Sequence, residues 1–348
     1  MATGDTHAIP AAAAGYWQVM GAFERAAGSD VLTVPQGLLN IGGNGRGYIL
    51  EAAAGWNPFD AANKDGSFAA PALGDDIYIY AVQQANGRAK LVASKNATVP
   101  TGYDQTNSRK IAGLHYGRVR PIDQRYSTAY TPVLQIVPNS LWDLSNRPRC
   151  SPEGMVKVSP RLWADIYLNS VISGAWPSVV FGSRYGVAPV RSTGGYNELD
   201  LHRGLHAAGK REPSFEEWLM IAYGAPQGGQ SDNNTAWSAT TNTGPSNTGA
   251  VVKSVSCANA VDCVGNLWER LSHHFDHGGT VTWDATVVNT GQESATPRGS
   301  VNHAMWRHAV AGGGFSDGSY CGARTLSTGA APWIAYGHVG VRGVCESI

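Results

Sequence analysis

Glycine occupies 43 of the 348 positions, well above the roughly 7% of an ordinary globular chain, and no other feature limits the fold so strongly. Glycine weakens helices and supplies the left-handed backbone that tight turns need. A chain this rich in it favours short strands joined by many turns over a helical bundle. Charged residues make up only 15%, and the 26 basic and 26 acidic side chains cancel. A neutral chain lacks the excess positive charge on which broad capture of nucleic acid or an anionic membrane depends. Apolar residues at 43% suffice for real cores. No stretch approaches the roughly 18–20 apolar residues of a membrane span, so neither nucleic-acid binding nor membrane insertion is expected. Met1 to Gly15 holds no Lys or Arg, and its alanine run is too short and soft for a signal-peptide core. Any exit from the cell is expected by another route.

The texture of the chain suggests three regions: 1–47, 48–125 and 130–348. In the first, Tyr16, Val19, Met20 and Phe23 recur at helical spacing within Ala11–Ala27, and a Pro- and Gly-rich passage follows. Such a leader cannot bury itself alone, which suits an attachment or oligomerisation region. In the second, Asp76–Val82 alternates with period two, Asn86-Gly87 is a strong hairpin turn, and Arg88–Ser94 reads as the returning strand. Arg109–Tyr116 reads as another strand, completing a small β-sandwich-like spacer. The third region holds nine of the 11 Trp residues. Two helices are expected there. Pro160–Ser170 would present Leu162, Trp163, Ile166 and Tyr167, and Ser214–Tyr223 opens with a capping box of Ser214 and Glu217. The long polar loop 226–249 points to function or disorder. The expected class is therefore α+β, mostly β.

Few constellations suggest chemistry. Cys150, Cys257, Cys263, Cys321 and Cys345 are odd in number and contain no C-x-x-C, which favours free buried thiols over one disulfide such as Cys257 with Cys263. His273, His274 and His277 have no helical pattern around them and no intervening Glu, so solvated loop histidines are expected rather than a metal site. P-loop and Rossmann fingerprints are absent, and no hydrolase signature is expected. Asp143, Asp165, Glu216, Glu217 and Glu269 sit beside Trp or Ile, as core hydrogen-bonding or capping carboxylates do.

The strongest signals are Gly209-Lys210-Arg211-Glu212-Pro213 through Trp218, then Asp262-Cys263-Val264-Gly265-Asn266-Leu267-Trp268-Glu269. The third runs from Gly312-Gly313-Gly314-Phe315 through Arg324 to Arg342-Gly343-Val344-Cys345. Together they resemble the formylglycine-generating-enzyme branch of the C-type-lectin fold. In that branch two neighbouring cysteines carry the oxidation. Here Ser319-Tyr320-Cys321 resembles the second, but Phe315-Ser316-Asp317-Gly318 stands where the first belongs. The resemblance therefore implies the fold without the enzyme. The same branch can hold Ca²⁺ on its turn, which would fall to Asp262, Asn266 and Glu269 as hard oxygen donors. No other cofactor is implied.

Further pieces occur in order: Pro100-Thr101-Gly102-Tyr103, Arg109-Lys110, His115-Tyr116, Ser140-Leu141-Trp142-Asp143, Trp163–Leu168, Gly209-Lys210-Arg211, Arg298-Gly299-Ser300-Val301 and Arg342-Gly343-Val344-Cys345. This series is similar to the phage major tropism determinant family, receptor-binding proteins of tail-fibre tips. The resemblance implies a C-type-lectin-like domain over 130–348 and a homotrimer. It implies attachment to other phage tail proteins through the N-terminal region, and a virion protein made in the host cytoplasm and released by lysis. It implies binding to a bacterial surface receptor, protein or glycan, through positions that a diversity-generating retroelement rewrites in relatives. The matching positions are Gly314, Ser316, Asp317, Gly318, Tyr320, Ser327, Gly329, Ala330, Ile334, Tyr336, His338 and Val339, with Trp333 as a further aromatic anchor. Arg324 and Arg342 read as buried structural donors. The alternatives are a structural fibre or baseplate adaptor, a lectin-fold binder outside a virion, and a formylglycine-type oxidase.

Overall fold

The period-two segment that begins near Asp75 becomes the centre of an extensive, mostly antiparallel sheet in which Gly47–Leu50 and Arg88–Ser94 pair in parallel. The computed structural model describes residues 14–26, 28–125, 127, 129–191, 195–226, 232–285 and 300–348. Residues 11–13 and 27 of the expected leader helix, and Arg298-Gly299, lie outside that set. The chain divides into two compact units, one running to Gly117 and including residues 134–147, the other built from residues 118–133 and 148–347.

In the first unit the strands are β1 (Trp17–Met20), β2 (Glu24–Arg25), β3 (Leu32–Val34), β4 (Gln36–Asn40), β5 (Gly47–Leu50) and β6 (Ala53–Trp56). They continue as β7 (Asp75–Gln83), β8 (Arg88–Ser94), β9 (Ser108–Val119), β10 (Val133–Ile136) and β11 (Trp142–Asp143). The main sheet has the order β1-β4-β5-β8-β7-β9-β10, with β11 also on β9, and β2-β3-β6 forms a smaller sheet. Ile77, Ile79 and Ala81 of β7 enter one core with Leu39, Leu50, Leu91 and Ile111. Gly87 closes the β7–β8 hairpin at φ 78°, in the left-handed region that glycine occupies without a Cβ penalty.

The leader is not a helix. Trp17–Met20 pairs residue by residue with Gln36–Leu39, its side chains alternating between half-buried and exposed. Non-local pairing outcompetes the local helical pattern, which was short and lacked a cap. Strands β1 and β4 thus share a sheet with β7–β9. Strands β10 and β11, which composition groups with the last region, also fall in the first unit.

The second unit contains β12 (Met155–Ser159), β13 (Leu162–Asp165), β14 (Asn169–Ser173), β15 (Val180–Ser183), α1 (Glu198–Ala207) and α2 (Phe215–Ile221). It ends with β16 (Trp268–Asp276), β17 (Thr282–Asp284), β18 (Val301–His303), β19 (Trp306–Gly312), β20 (Gly322–Ala330), β21 (Val339–Gly340) and β22 (Val344–Glu346). Its central sheet has the order β20-β19-β16-β21, and β12-β13-β22 is a second sheet. Pro160–Ser170, expected as a helix, is β13 and the start of β14. Leu162, Trp163, Ala164 and Asp165 are all buried, and a strand covered on both faces loses the alternation that identifies it.

Helix α2 forms as expected. Glu217 N–H donates to Ser214 Oγ at 3.2 Å, and Ser214 N–H donates to Glu217 Oε2 at 2.8 Å. Helix α1 opens on a second capping box, Asn197 with Asp200. It lies directly on β15: a Cβ at Gly204 would fall within 2.3 Å of the Phe181 ring, so only glycine allows this approach. Among the described residues no helix is long and apolar enough to cross a membrane. The five cysteines are free thiols, and Cys257 is only half-buried.

Arg342 joins these pieces. Its Nε and Nη2 each donate to the Glu269 carboxylate at 2.8 Å, and Nη1 donates to the carbonyls of Asp165 and Ile166 at 2.9 and 2.7 Å. Nη2 also donates to Val261 O at 2.7 Å, so all five N–H donors are used. Trp218 Nε1 adds a bond to Glu269 Oε2 at 3.2 Å. Arg324, expected to play the same part, is exposed on β20. Both Arg342 and Glu269 are fully buried, and removing one partner strands a buried charge. Arg342→Ala is predicted to lower unfolding free energy by about 3–5 kcal/mol in urea titrations. A loss below about 1 kcal/mol would show the pair to be peripheral to stability.

Candidate functional site: the C-terminal surface segment

Residues 313–338 run from the end of β19 through the edge strand β20, which pairs antiparallel with β19, and on to β21. At the first end, Gly314 N–H donates to Asp317 Oδ2 at 2.8 Å and Gly318 N–H to Ser238 O at 2.7 Å. Cys321 Sγ donates to Gly314 O at 3.2 Å, and Asn242 Nδ2 to Phe315 O at 2.8 Å. At the far end, Trp268 N–H donates to His338 O at 2.9 Å, and Val339 pairs with Trp268 in register. Glu198 N–H donates to Pro332 O at 3.1 Å, and Ala331 N–H to the Tyr336 hydroxyl at 3.1 Å. Backbone bonds fix both ends, with the Asp317, Cys321 and Tyr336 side chains taking part, and the other outward side chains between them carry none of these bonds.

Those side chains divide into two groups. Tyr320 is 79% exposed and Ile334 42%, while Gly329 and His338 are also exposed. Ser316, Asp317, Ser327, Ala330, Trp333 and Tyr336 are half-buried. Trp333 lies against His303 with ring centroids 5.1 Å apart, and Tyr336 against His338 at 5.5 Å. Gly314, Gly318 and Val339, grouped with the contact positions from sequence, are buried and shape the surface instead of facing outward. Val339 is 1% exposed because β21 lies parallel to β16 at the sheet. Asp317 is committed to capping the turn.

Beneath the segment lies a polar layer that the sequence did not announce. Glu198 places Oε1 2.5 Å from His274 Nε2 and Oε2 2.9 Å from His308 Nδ1. Arg270, fully buried, donates from Nη1 to His308 Nε2 at 2.6 Å, so His308 carries its proton on Nδ1. Burial pushes His308 below the ordinary histidine value, consistent with a neutral ring. Burial alone would raise the Glu198 carboxyl, but hydrogen bonds from His274 and His308 and the Arg270 charge hold it well below the usual range. His274 is raised, chiefly by its bond to Glu198. The histidine trio is therefore not a set of solvated loop residues: His273 and His274 are on β16, and His274 anchors the start of α1. A capping box opening Leu201 and Leu205 at helical spacing was the available signal for α1 and its Glu198.

Two chemical readings can be tested against the geometry. Asp262, Asn266 and Glu269 do not fit a calcium site. Glu269 is spent on Arg342 and Trp218, Asp262 Oδ2 accepts Gly249 N–H at 2.7 Å, and the Asn266 amide bonds both ways with the Ser246 backbone. Among the described residues no group of three or more His, Cys, Asp and Glu is placed to hold a metal ion. Gly314-Phe315-Ser316-Asp317-Gly318 does spell G-x-S-x-G, against expectation. A nucleophile elbow needs a strand-to-helix turn, and here a three-residue 3₁₀ turn follows, with no α-helix. Cys321 is buried, and burial pushes its thiol up to about 12, away from the thiolate that cysteine chemistry uses.

Comparison with known proteins places this geometry. Residues 23–143 match the family model described as the Mtd second domain. The tail fiber receptor-binding protein of Bordetella phage BPP-1 is 30% identical over 303 residues, 82% of this chain and 74% of that protein. Solved structures of the Major Tropism Determinant U1 and P3c variants superpose with TM-scores of 0.72 and 0.71, each at 24% identity. They cover 94% and 99% of this chain, and 84% and 86% of theirs. That likeness shows the fold: mostly β, with two helices.

Asp262 supplies a pH test of the buried scaffold. Burial raises its carboxyl from 3.8 to about 6. The folded protein thus keeps the proton where the unfolded chain has lost it, and this stability is present at low pH and lost as pH rises through about 6. Urea midpoints of the parent, measured relative to Asp262→Asn, are predicted to fall between pH 5 and pH 7. An unchanged difference would mean that Asp262 does not titrate there.

Proposed function

We propose, for a chain that belongs to the phage tail-fibre receptor-binding family of the major tropism determinant, that it binds a host bacterial surface receptor through the C-terminal segment 313–338. The observation that carries this reading is a segment held at both ends by backbone bonds and along β20 by pairing with β19, while Tyr320, Ile334 and His338 stay exposed. Recognition surfaces favour this division, with rigid aromatic anchors among small neighbours such as Ser316, Ser327, Gly329 and Ala330. Gly314, Asp317, Gly318 and Val339 set the frame, and Trp333 and Tyr336 brace it from half-buried positions.

By this reading the chain resides in the virion tail. The first unit carries the attachment to other tail proteins, and a homotrimer multiplies weak contacts through avidity. The neutral balance of charge suits recognition by shape and aromatic contact. An oxidase of the formylglycine type is not proposed, because Cys321 is buried, protonated and lacks the neighbouring cysteine that its chemistry needs. A purely structural adaptor is not favoured, since the relative matched over most of this chain is named for receptor binding.

Fluorescently labelled protein should stain a susceptible bacterial strain, and Tyr320→Ala combined with Ile334→Ser should weaken staining at least ~10-fold, as loss of a central anchor does. Because both side chains are exposed, the unfolding free energy should stay within about 0.5 kcal/mol of the parent. Staining at the parental concentration dependence would overturn the assignment of the face.

A further inference from the structure

We propose that His202 and His206 form a surface binding site for a divalent transition-metal ion of the zinc, nickel or copper class. The two residues stand four apart on α1, the spacing that puts side chains one above the other on a helix. Both are exposed, and their ring centroids lie 4.2 Å apart with planes tilted by 39°. Rings this close need only a turn about their side-chain bonds to bring one nitrogen of each onto a single ion with metal–nitrogen bonds of about 2.0–2.1 Å. A second observation fixes the chemistry of one ligand. Glu212, buried on the segment after α1, lies 2.8 Å from His202 Nδ1. A carboxylate on Nδ1 holds the proton there, leaves the Nε2 lone pair for a metal and orients the ring, the arrangement that supports histidine ligands in metal sites generally. Among the described residues no hydrogen bond holds the His206 side chain, and its ring packs on that of His202.

Imidazole pairs select zinc, nickel and copper over calcium and magnesium, which take oxygen donors. With two protein ligands, water completes the coordination. The ion would clip the last turn of α1, the helix whose first residue, Glu198, carries the polar layer. The site uses none of the residues assigned to receptor contact, so its failure would leave that assignment standing.

Zinc chloride titrated calorimetrically into the full chain, purified without a polyhistidine tag, should show one ion bound per chain. His202→Ala and His206→Ala should each abolish that binding; the metal-free unfolding midpoint of His206→Ala should match the parent because that side chain is exposed, while that of His202→Ala should fall because buried Glu212 loses its partner. Glu212→Gln should keep the stoichiometry and bind about 10-fold more weakly, as loss of an outer-shell carboxylate does. Copper loaded in place of zinc should give an electron paramagnetic resonance spectrum split by two nitrogens. Zinc uptake undiminished in both alanine variants, or no uptake by the parent, would overturn the site; parental affinity in Glu212→Gln would overturn the role of Glu212.

Discussion

The buried ion pair of Arg342 and Glu269 is the constraint on which the second unit depends. A guanidinium out of water is tolerable only when each of its N–H groups finds an acceptor, and here all five do. Those acceptors come from places far apart in sequence: the end of β13, the loop before Asp262 and the start of β16. Meeting them fixes where the chain must be just after β21, at the point where segment 313–338 has returned to the sheet. Lys210 extends the same logic, since its ammonium lies 2.5 Å from Asp165 Oδ1 while Asp165 Oδ2 accepts Gly343 N–H at 3.0 Å.

This arrangement separates stability from recognition. Buried charge and backbone bonds define the path of the segment, so its outward side chains contribute little to folding. Tyr320 and Ile334 are exposed on the segment and contribute no packing to the core beneath it. Below the loop that ends at His338, Glu198 couples the start of α1 to β16 and β19 through His274 and His308, and through its own N–H to Pro332. A face supported this way can change side chains without moving its frame.

Local rules were legible in the sequence and long-range ones were not. The hairpin of β7 and β8 and the capped helix α2 rest on contacts within a few residues, and both fall where alternation, Asn86-Gly87 and Ser214-Glu217 put them. Helix α1 was missed because Asn197 with Asp200 is a quieter box than a Ser–Glu pair. Leu162–Asp165 does not read as a strand because burial on both faces erases the period that marks one, and Trp17–Met20 does not because its pairing partners, Gln36 to Leu39, lie in a separate strand downstream. In the candidate site, ordered motifs located the segment, but not which of its positions face outward. Val339 is buried on β21 and Arg324 exposed on β20, the two edge strands of one sheet, and neither outcome follows from local sequence. Nor does the layer around Glu198, whose members come from a helix and two strands.

The central claim is that recognition resides in segment 313–338. Site-specific photocrosslinking tests it most directly. A benzophenone amino acid is placed at Tyr320 and, as a control on the other unit, at the exposed Met20. Each protein is irradiated on a bacterial strain that the parent chain binds. Crosslinks to a host surface molecule from position 320 and none from position 20 are the predicted result; equal crosslinking from both, or crosslinking from position 20 alone, would contradict the account.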